Sequence, residues 1–358
     1  MALPNSGALS MSRIWGEYQG GTVSNFALRK KGSSDNDWCP KNSSLGRGHS
    51  NCKISHYYGG SSAGPIVGSG GSTSTNGAWK IHSITNSNAN TCFKVTSIAS
   101  GGIDNNIYRM VVGAGGGGGA GGNSHQISGG ASRCGGGGGA GMAVNTTYPA
   151  VAGAGNCITP GKPGAGGTFN NRGSTGGYTS VDGSTTYARG GGGGGTYSNG
   201  NTETGLSGGN GGGGAGKYGA TILQSGGTGN QSKGGSGNSG GGGGGGGANS
   251  NGGNGVVGSS DPSRYGGAGG GGIMYSPMGI RYGAGGSGAG IGNYKAGGAN
   301  GGGTGGKSVQ PVPSAGYATA GSQKGAGGGG GASTSNGTLA ESGKQGDYGA
   351  AYFAYKQY

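Results

Sequence analysis

The chain has 358 residues, 108 of them glycine, and a formal net charge of +14 although only 9% of its residues are charged. With a hydrophobic fraction of 29%, it has no material for one large conventional core. Nine acidic residues and four histidines leave little for acid–base or nucleophilic chemistry, so an enzyme is not expected.

Residues 1–32 read as a compact N-terminal module. Ser10 or Ser12 could cap a short helix carrying Ile14, Trp15 and Tyr18. Gly20-Gly21 breaks it, and a second short element carries Phe26 and Leu28. The module is too small to fold alone. Its apolar residues must pack on the rest of the chain or on a partner. The second option makes it an attachment module, with Ile14, Trp15, Tyr18, Phe26 and Leu28 as its contacts.

Residues 33–112 form a Ser/Asn-rich stretch with β-like runs at Ala78–Ile84, Cys92–Ile98 and Ile103–Val112. The alternation Trp79-Lys80-Ile81-His82 supports a half-buried strand. Cys39, His49, Cys52 and His56 are the right elements for zinc but fit no familiar finger spacing. A Cys39–Cys52 disulfide and free side chains stay open as alternatives. No metal and no cofactor is expected. The five cysteines are a sparse, odd set that suits a reducing cytosol, with buried or idle thiols.

Residues 113–346 are the glycine region. Gly113–Gly122 reads GAGGGGGAGG, and similar runs start at Cys134, Arg189, Gly208, Ser239, Tyr265, Tyr282, Ala296 and Lys324. Glycine is about 1 kcal/mol per residue worse than alanine in a helix. It also gives a strand nothing to pack. An ordered run has one good option, the left-handed three-residue helix of polyproline II type, rising about 3.1 Å per residue. Its N–H and C=O groups need partners when buried, and only neighbouring runs can supply them. The expected fold class is therefore mostly irregular and β. It is a polyglycine-II helix bundle over 113–346, with the small N-terminal module and short β-strands at the bundle base.

Long loops are expected at Ala143–Ala188, Lys217–Asn238 and Asn249–Arg264. Tyrosines mark many run edges: Tyr197, Tyr218, Tyr265, Tyr275, Tyr282 and Tyr294. They either cap the bundle or make a sticky tip. Phe169 is the one phenylalanine of the region. Residues 347–358 read as a strand expected to return to Ile107–Val112 and close the bundle.

Gly301–Ser308 matches the phosphate-loop pattern G-x4-G-K-[ST] in letters alone. Val-Gln-Pro-Val-Pro follows, which cannot be the helix whose N-terminus would hold a phosphate. Only Arg189-Gly190-Gly191 has the Arg-Gly-Gly form of glycine-rich nucleic-acid binders, so no nucleic-acid partner is expected. The scattered cations serve solubility or attraction to an anionic surface. No stretch is apolar enough to span a membrane, and no secretory leader is read at the start, so no membrane insertion is expected.

The runs GAGGGGGAGG and GGNGGGGAG, separated by variable loops, resemble the distal tail-fibre adhesins of T-even-like bacteriophages. Leu3-Pro4-Asn5-Ser6-Gly7-Ala8-Leu9-Ser10-Met11-Ser12-Arg13-Ile14, followed by Gly20-Gly21 and Val23-Ser24, is similar to an N-terminal segment of phage tail and fibre proteins. Met110-Val111-Val112-Gly113-Ala114-Gly115 also looks like the start of their glycine-rich domains. The stretch at 33–112 is additional to the adhesin pattern.

The resemblance implies a sandwich of polyglycine-II helices with receptor-binding tip loops. It implies a virion location on a tail or tail fibre, after synthesis in the host cytoplasm. Its partners would be other tail or fibre proteins at the N-terminal module and a bacterial outer-surface protein or lipopolysaccharide at the tip. If runs alternate in direction, the distal loops are Asn123–Arg133, Thr196–Ser207, Asn249–Arg264 and Asn293–Lys295. The expected receptor contacts are Tyr197, Asn199, Asn201, Asp261, Arg264 and Tyr265. A purely structural virion component and a glycine-rich nucleic-acid binder are the alternatives.

Overall fold

A computed structural model describes residues 66–85, 91–98, 105–122, 133–198, 201–217, 224–238, 240–256, 265–276, 278–290, 301–306, 318–333 and 341–357. The N-terminal module with Ile14, Trp15, Tyr18, Phe26 and Leu28 lies outside them, as do Cys39, His49, Cys52 and His56.

Among the described residues the chain forms β1 (Val67–Ser69), β2 (Ser72–Asn76), β3 (Trp79–Ile84), β4 (Thr91–Ser97), β5 (Asn106–Val112), β6 (Arg133–Cys134), β7 (Ala143–Pro149) and β8 (Gly155–Thr159). Then come β9 (Thr179–Val181), β10 (Ser184–Ala188), β11 (Tyr197–Ser198), β12 (Asn201–Thr202), β13 (Gly216–Lys217), β14 (Ile273–Tyr275), β15 (Ile280–Tyr282) and β16 (Ala350–Lys356). Two five-stranded sheets dominate. The first has the order β2-β3-β16-β5-β7 and the second β1-β4-β8-β9-β10. Every pairing within them is antiparallel.

The two sheets pack face to face because alternate residues along their strands are apolar. Ile107 and Val111 of β5 and Phe353 and Tyr355 of β16 point into one core with Phe93 and Val95 of β4, Ile158 of β8 and Val181 of β9. Each such side chain contributes roughly 1.5–3 kcal/mol by burial. Met110, Val112, Ala350 and Tyr352 face the other way, where Met278 and Tyr282 of the β14–β15 hairpin region cover them. The first sheet is thus covered on both faces, which explains why Ala350–Tyr355 of β16 is buried throughout. Gly70 and Gly71, with φ of 100° and 67°, turn the chain from β1 in one sheet to β2 in the other. Side chains rarely tolerate that backbone.

β16 inserts between β3 and β5, so Phe353 stands opposite both His82 and Arg109. The last strand of the chain thus shares a sheet with strands from before the glycine region. Cys92 of β4 and Cys157 of β8 face each other across their strands and form a disulfide. This corrects the reading of the cysteines as buried or idle thiols for Cys92 and Cys157. Cys134 is free and buried, and burial pushes its thiol pKa up to about 12.

The fold class expected from the sequence is also corrected. The regular structure is antiparallel sheet: a two-sheet sandwich with its own core rather than a polyglycine-II bundle with short strands at its base. One reason is local. Ala143–Ala188 reads as a loop because it is rich in Thr, Ser and Asn, yet it supplies β7, β8, β9 and β10. Those strands widen the first sheet and complete the second.

The glycine segments belong to neither helix nor strand over most of their length. Their backbone groups are bonded sideways. Gly113, Gly116 and Gly119 donate to the carbonyls of Met142, Gly139 and Gly136. Ala114, Gly117 and Ala120 donate to Gly177, Ser174 and Asn171, while Gly115, Gly118 and Gly121 donate to Asp347, Lys344 and Glu341. Their carbonyls accept from three further segments, through Gly191 and Gly194, Gly164 and Gly167, and Gly328 and Gly331. A Cβ on Gly115 would stand 1.8 Å from the Ala326 oxygen, and one on Gly117 would stand 1.9 Å from the Ala165 oxygen. Glycine is required there by the approach of neighbouring backbone, which closes the hydrogen-bond account that burial imposes.

Candidate functional site

The glycine segments run between two poles. At one pole they join the sandwich. Gly113 follows β5 directly, Met142 donates to Arg189 O, and Gly325 donates to Tyr348 O just before β16. At the other pole Gly122 lies against Arg133 and the Tyr197 oxygen. There β13 pairs with β6 through Lys217 and Arg133, and Cys134 bridges to Ala332. Asn238 bridges to Gly241, and Gly241 to Gly290. Glu341 donates to Ala332 O, and Gly290 to Gly306 O. The described residues on both sides of 123–132, 218–223, 307–317 and 334–340, and Gly290 just before 291–300, therefore lie at this pole. Val256 donates to Tyr265 O, which places the ends of 257–264 together as well. We call this the loop pole.

Its chemistry centres on Arg133. The side chain is 3% exposed, and its guanidinium lies 4.0 Å over the Tyr197 ring. Lys217 Nζ sits 5.1 Å from the same ring. The aromatic face takes the place of a carboxylate for both cations. Burial lowers the pKa of Arg133, and the neighbouring Tyr197 opposes that shift. Ser333 Oγ accepts from the Arg133 backbone N–H at 3.0 Å. Nearby, Glu341 accepts from the N–H groups of Ala318 and Ala332, and burial raises its carboxyl pKa above the ordinary range. Arg172 pairs with Glu203 at 2.6 Å.

Of the expected receptor contacts, Tyr197 is corrected. It is 1% exposed and serves as the platform under Arg133 and Lys217, not as a surface ring. Asn201 lies in β12, paired with Ser198, and Tyr265 is half-buried beside Val256. Asn199, Asp261 and Arg264 lie outside the described residues. The expected loops are also shorter than the sequence suggests. Within Thr196–Ser207, Glu203, Gly205 and Leu206 are bonded to neighbouring backbone. Within Asn249–Arg264, Gly252, Gly253 and Gly255 are bonded likewise.

The phosphate-loop lookalike has its amides engaged. Gly303 and Gly306 donate to Gly327 O and Gly330 O, and Gly305 to Ser287 Oγ. They offer no cradle for a phosphate. Lys307 and Ser308 lie outside the described residues.

Two sites of polar chemistry sit in the sandwich and were not read from the sequence. Arg109 spans the sheets, donating to Thr146 Oγ1 at 3.0 Å, to Asn156 Oδ1 at 3.1 Å and to Tyr187 Oη, with its guanidinium near the Tyr148 and Tyr187 rings. Each of the three guanidinium nitrogens donates within the fold, to β7 of one sheet and to β8 and β10 of the other, which makes Arg109 a clamp between the sheets. His82 is 1% exposed, with Nδ1 2.8 Å from Gly70 O and Nε2 3.2 Å from Tyr355 Oη. Burial lowers its pKa, outweighing the Gly70 hydrogen bond that raises it. Comparison with protein-family models, with curated proteins and with solved structures finds no match.

Proposed function

We propose that this chain is a virion protein at the tip of a phage tail or tail fibre. It binds a receptor on the bacterial surface through the loop pole, and it joins other tail or fibre proteins through residues 1–32. The observation that carries the reading is the gathering, at one pole opposite the sandwich, of the described residues on both sides of 123–132, 218–223, 257–264, 307–317 and 334–340. Such a frame lets loops change while the scaffold stays constant, because the segment contacts are backbone to backbone.

The sequence resemblance to tail-fibre adhesins points the same way. The test is binding of the purified protein to intact host cells, with 123–132 and 257–264 replaced by Gly-Ser. Loss of binding with an unchanged thermal transition supports the reading. Undiminished binding by both variants contradicts it. A wild-type protein that binds no host cells, in a particle that cannot assemble without it, favours a purely structural virion role.

A further inference from the structure

The loop pole carries positive charge that the described residues do not balance. β6 and β13 pair so that Lys217 stands directly opposite Arg133. Like charges facing each other across strands repel. Both cations also lie over the Tyr197 ring, the guanidinium carbon 4.0 Å and Lys217 Nζ 5.1 Å from its centre. The four acids among the described residues are engaged elsewhere. Asp182 accepts from Asn156 and Cys157, Glu203 from Arg172, Glu341 from Ala318 and Ala332, and Asp347 from Lys324.

Two orphan atoms mark the same stack. Arg133 is 3% and Tyr197 1% exposed, yet Arg133 Nε and Tyr197 Oη have no hydrogen-bond partner. A buried polar group left unpaired is costly, and in a native fold it calls for a water, an ion or a ligand. The ring face offsets part of the charge but offers no acceptor to Nε–H. The side chain is also not a loose one. The Arg133 N–H donates to Ser333 Oγ, and its carbonyl accepts from the Ser333 N–H. Gly122 leaves room for it: a Cβ there would stand 2.9 Å from Arg133 Cδ.

We propose that Arg133, Lys217 and Tyr197 form a binding site for a phosphate group. The phosphate oxygens take the Nε–H of Arg133, the hydroxyl of Tyr197 and the ammonium of Lys217. The charge count selects the class. A phosphate monoester carries about −1.5 to −2 at pH 7 and neutralises both facing cations, whereas a carboxylate neutralises one. A guanidinium fork also matches phosphate oxygens. Arg133 directly follows 123–132, Lys217 directly precedes 218–223, and Tyr197 opens the β11–β12 pair, so the site lies at the roots of these stretches. The assignment goes beyond the receptor-binding reading and does not depend on it.

The experiment uses the full chain in phosphate-free buffer at constant ionic strength, with sodium chloride making up the balance. Inorganic phosphate, glucose 1-phosphate and acetate are titrated, and calorimetric binding and the thermal midpoint are read. The wild type is expected to bind inorganic phosphate saturably at one site, with a midpoint that rises with its concentration, and to bind acetate about tenfold or more weakly. Lys217→Gln and Tyr197→Phe each lower phosphate affinity about tenfold, as loss of a hydrogen bond to a charged group does. Arg133→Gln abolishes binding. Without phosphate, Tyr197→Phe keeps or raises the midpoint, because it removes a buried hydroxyl that has no partner.

Glucose 1-phosphate separates the sources. Binding like that of inorganic phosphate supports a site open to phosphate carried on a larger molecule, and binding of inorganic phosphate alone supports a site for the free ion. A wild type that responds to phosphate no more than to sodium chloride overturns the inference. Acetate binding as tight as phosphate binding overturns the charge argument and the inference with it. Should Arg133→Gln fail to fold, Lys217→Gln and Tyr197→Phe decide: phosphate binding undiminished in both places the ion elsewhere and overturns the inference.

Discussion

Phe93 of β4 and Phe353 of β16 stack with ring centroids 4.4 Å apart and planes 10° apart, joining the two sheets at the centre of the sandwich. Both are fully buried. The Phe353→Ala substitution leaves a cavity between the sheets and is expected to cost about 3–5 kcal/mol. Chemical denaturation reads this directly. A loss below about 1 kcal/mol would mean that the core is not where this contact places it.

The glycine segments make a sharper contrast. A Cβ on Gly117 would meet the Ala165 oxygen at 1.9 Å, whereas a Cβ on Gly271 meets nothing closer than Ser250 Oγ at 3.6 Å. Gly117→Ala is therefore expected to destabilise by about 1–3 kcal/mol or more, as overpacking does. Gly271→Ala should be close to neutral or mildly stabilising, since alanine restricts the unfolded chain. Equal effects of the two substitutions would contradict the close packing around Gly113–Gly121.

His82 predicts a pH dependence. Its pKa is lowered in the folded chain by burial, so the unfolded chain binds the proton first. The stability that neutral His82 gives is complete above the unfolded value of about 6.5 and is lost as pH falls below it. The loss stops once the folded pKa is passed. The slope for one group is at most about 1.4 kcal/mol per pH unit. Glu341 has the opposite sense: its raised pKa favours the folded chain at low pH and loses that contribution as pH rises. The difference between wild type and His82→Gln isolates the histidine. Thermal midpoints at pH 7.5 and pH 5 should converge less in the wild type than in the variant, and parallel behaviour would remove His82 as the cause.

The Cys92–Cys157 disulfide closes a separation of 65 residues. Loop-closure entropy gives it up to about 4 kcal/mol. Reductant, or the double substitution of both cysteines by serine, should lower the denaturation midpoint. An unchanged midpoint would show that the second sheet does not depend on the bond.

Parts of this architecture were readable in the residues. The alternation in Trp79–His82 and the apolar runs at Cys92–Ile98 and Ile103–Val112 mark β3, β4 and β5, and the aromatic C-terminus lies in β16 beside β5. What was not readable has physical causes. The strands β7 (AVNTTYP) and β10 (STTYA) have too little apolar alternation to be told from loop. The disulfide joins two cysteines on strands whose adjacency only the sheet order reveals.

The candidate site was less legible still. Tyr197 reads as a surface ring because nothing in the sequence shows that Arg133 folds over it.

The most direct test of the two-pole account is hydrogen-exchange footprinting of the full chain, free and bound to host-cell envelopes. The account predicts added protection at the loop pole, in peptides covering 166–173, 196–203 and 255–266, with none at the exposed edge strand Ser72–Asn76. Protection confined to Ser72–Asn76 and the β14–β15 hairpin, with the loop pole unchanged, would contradict it.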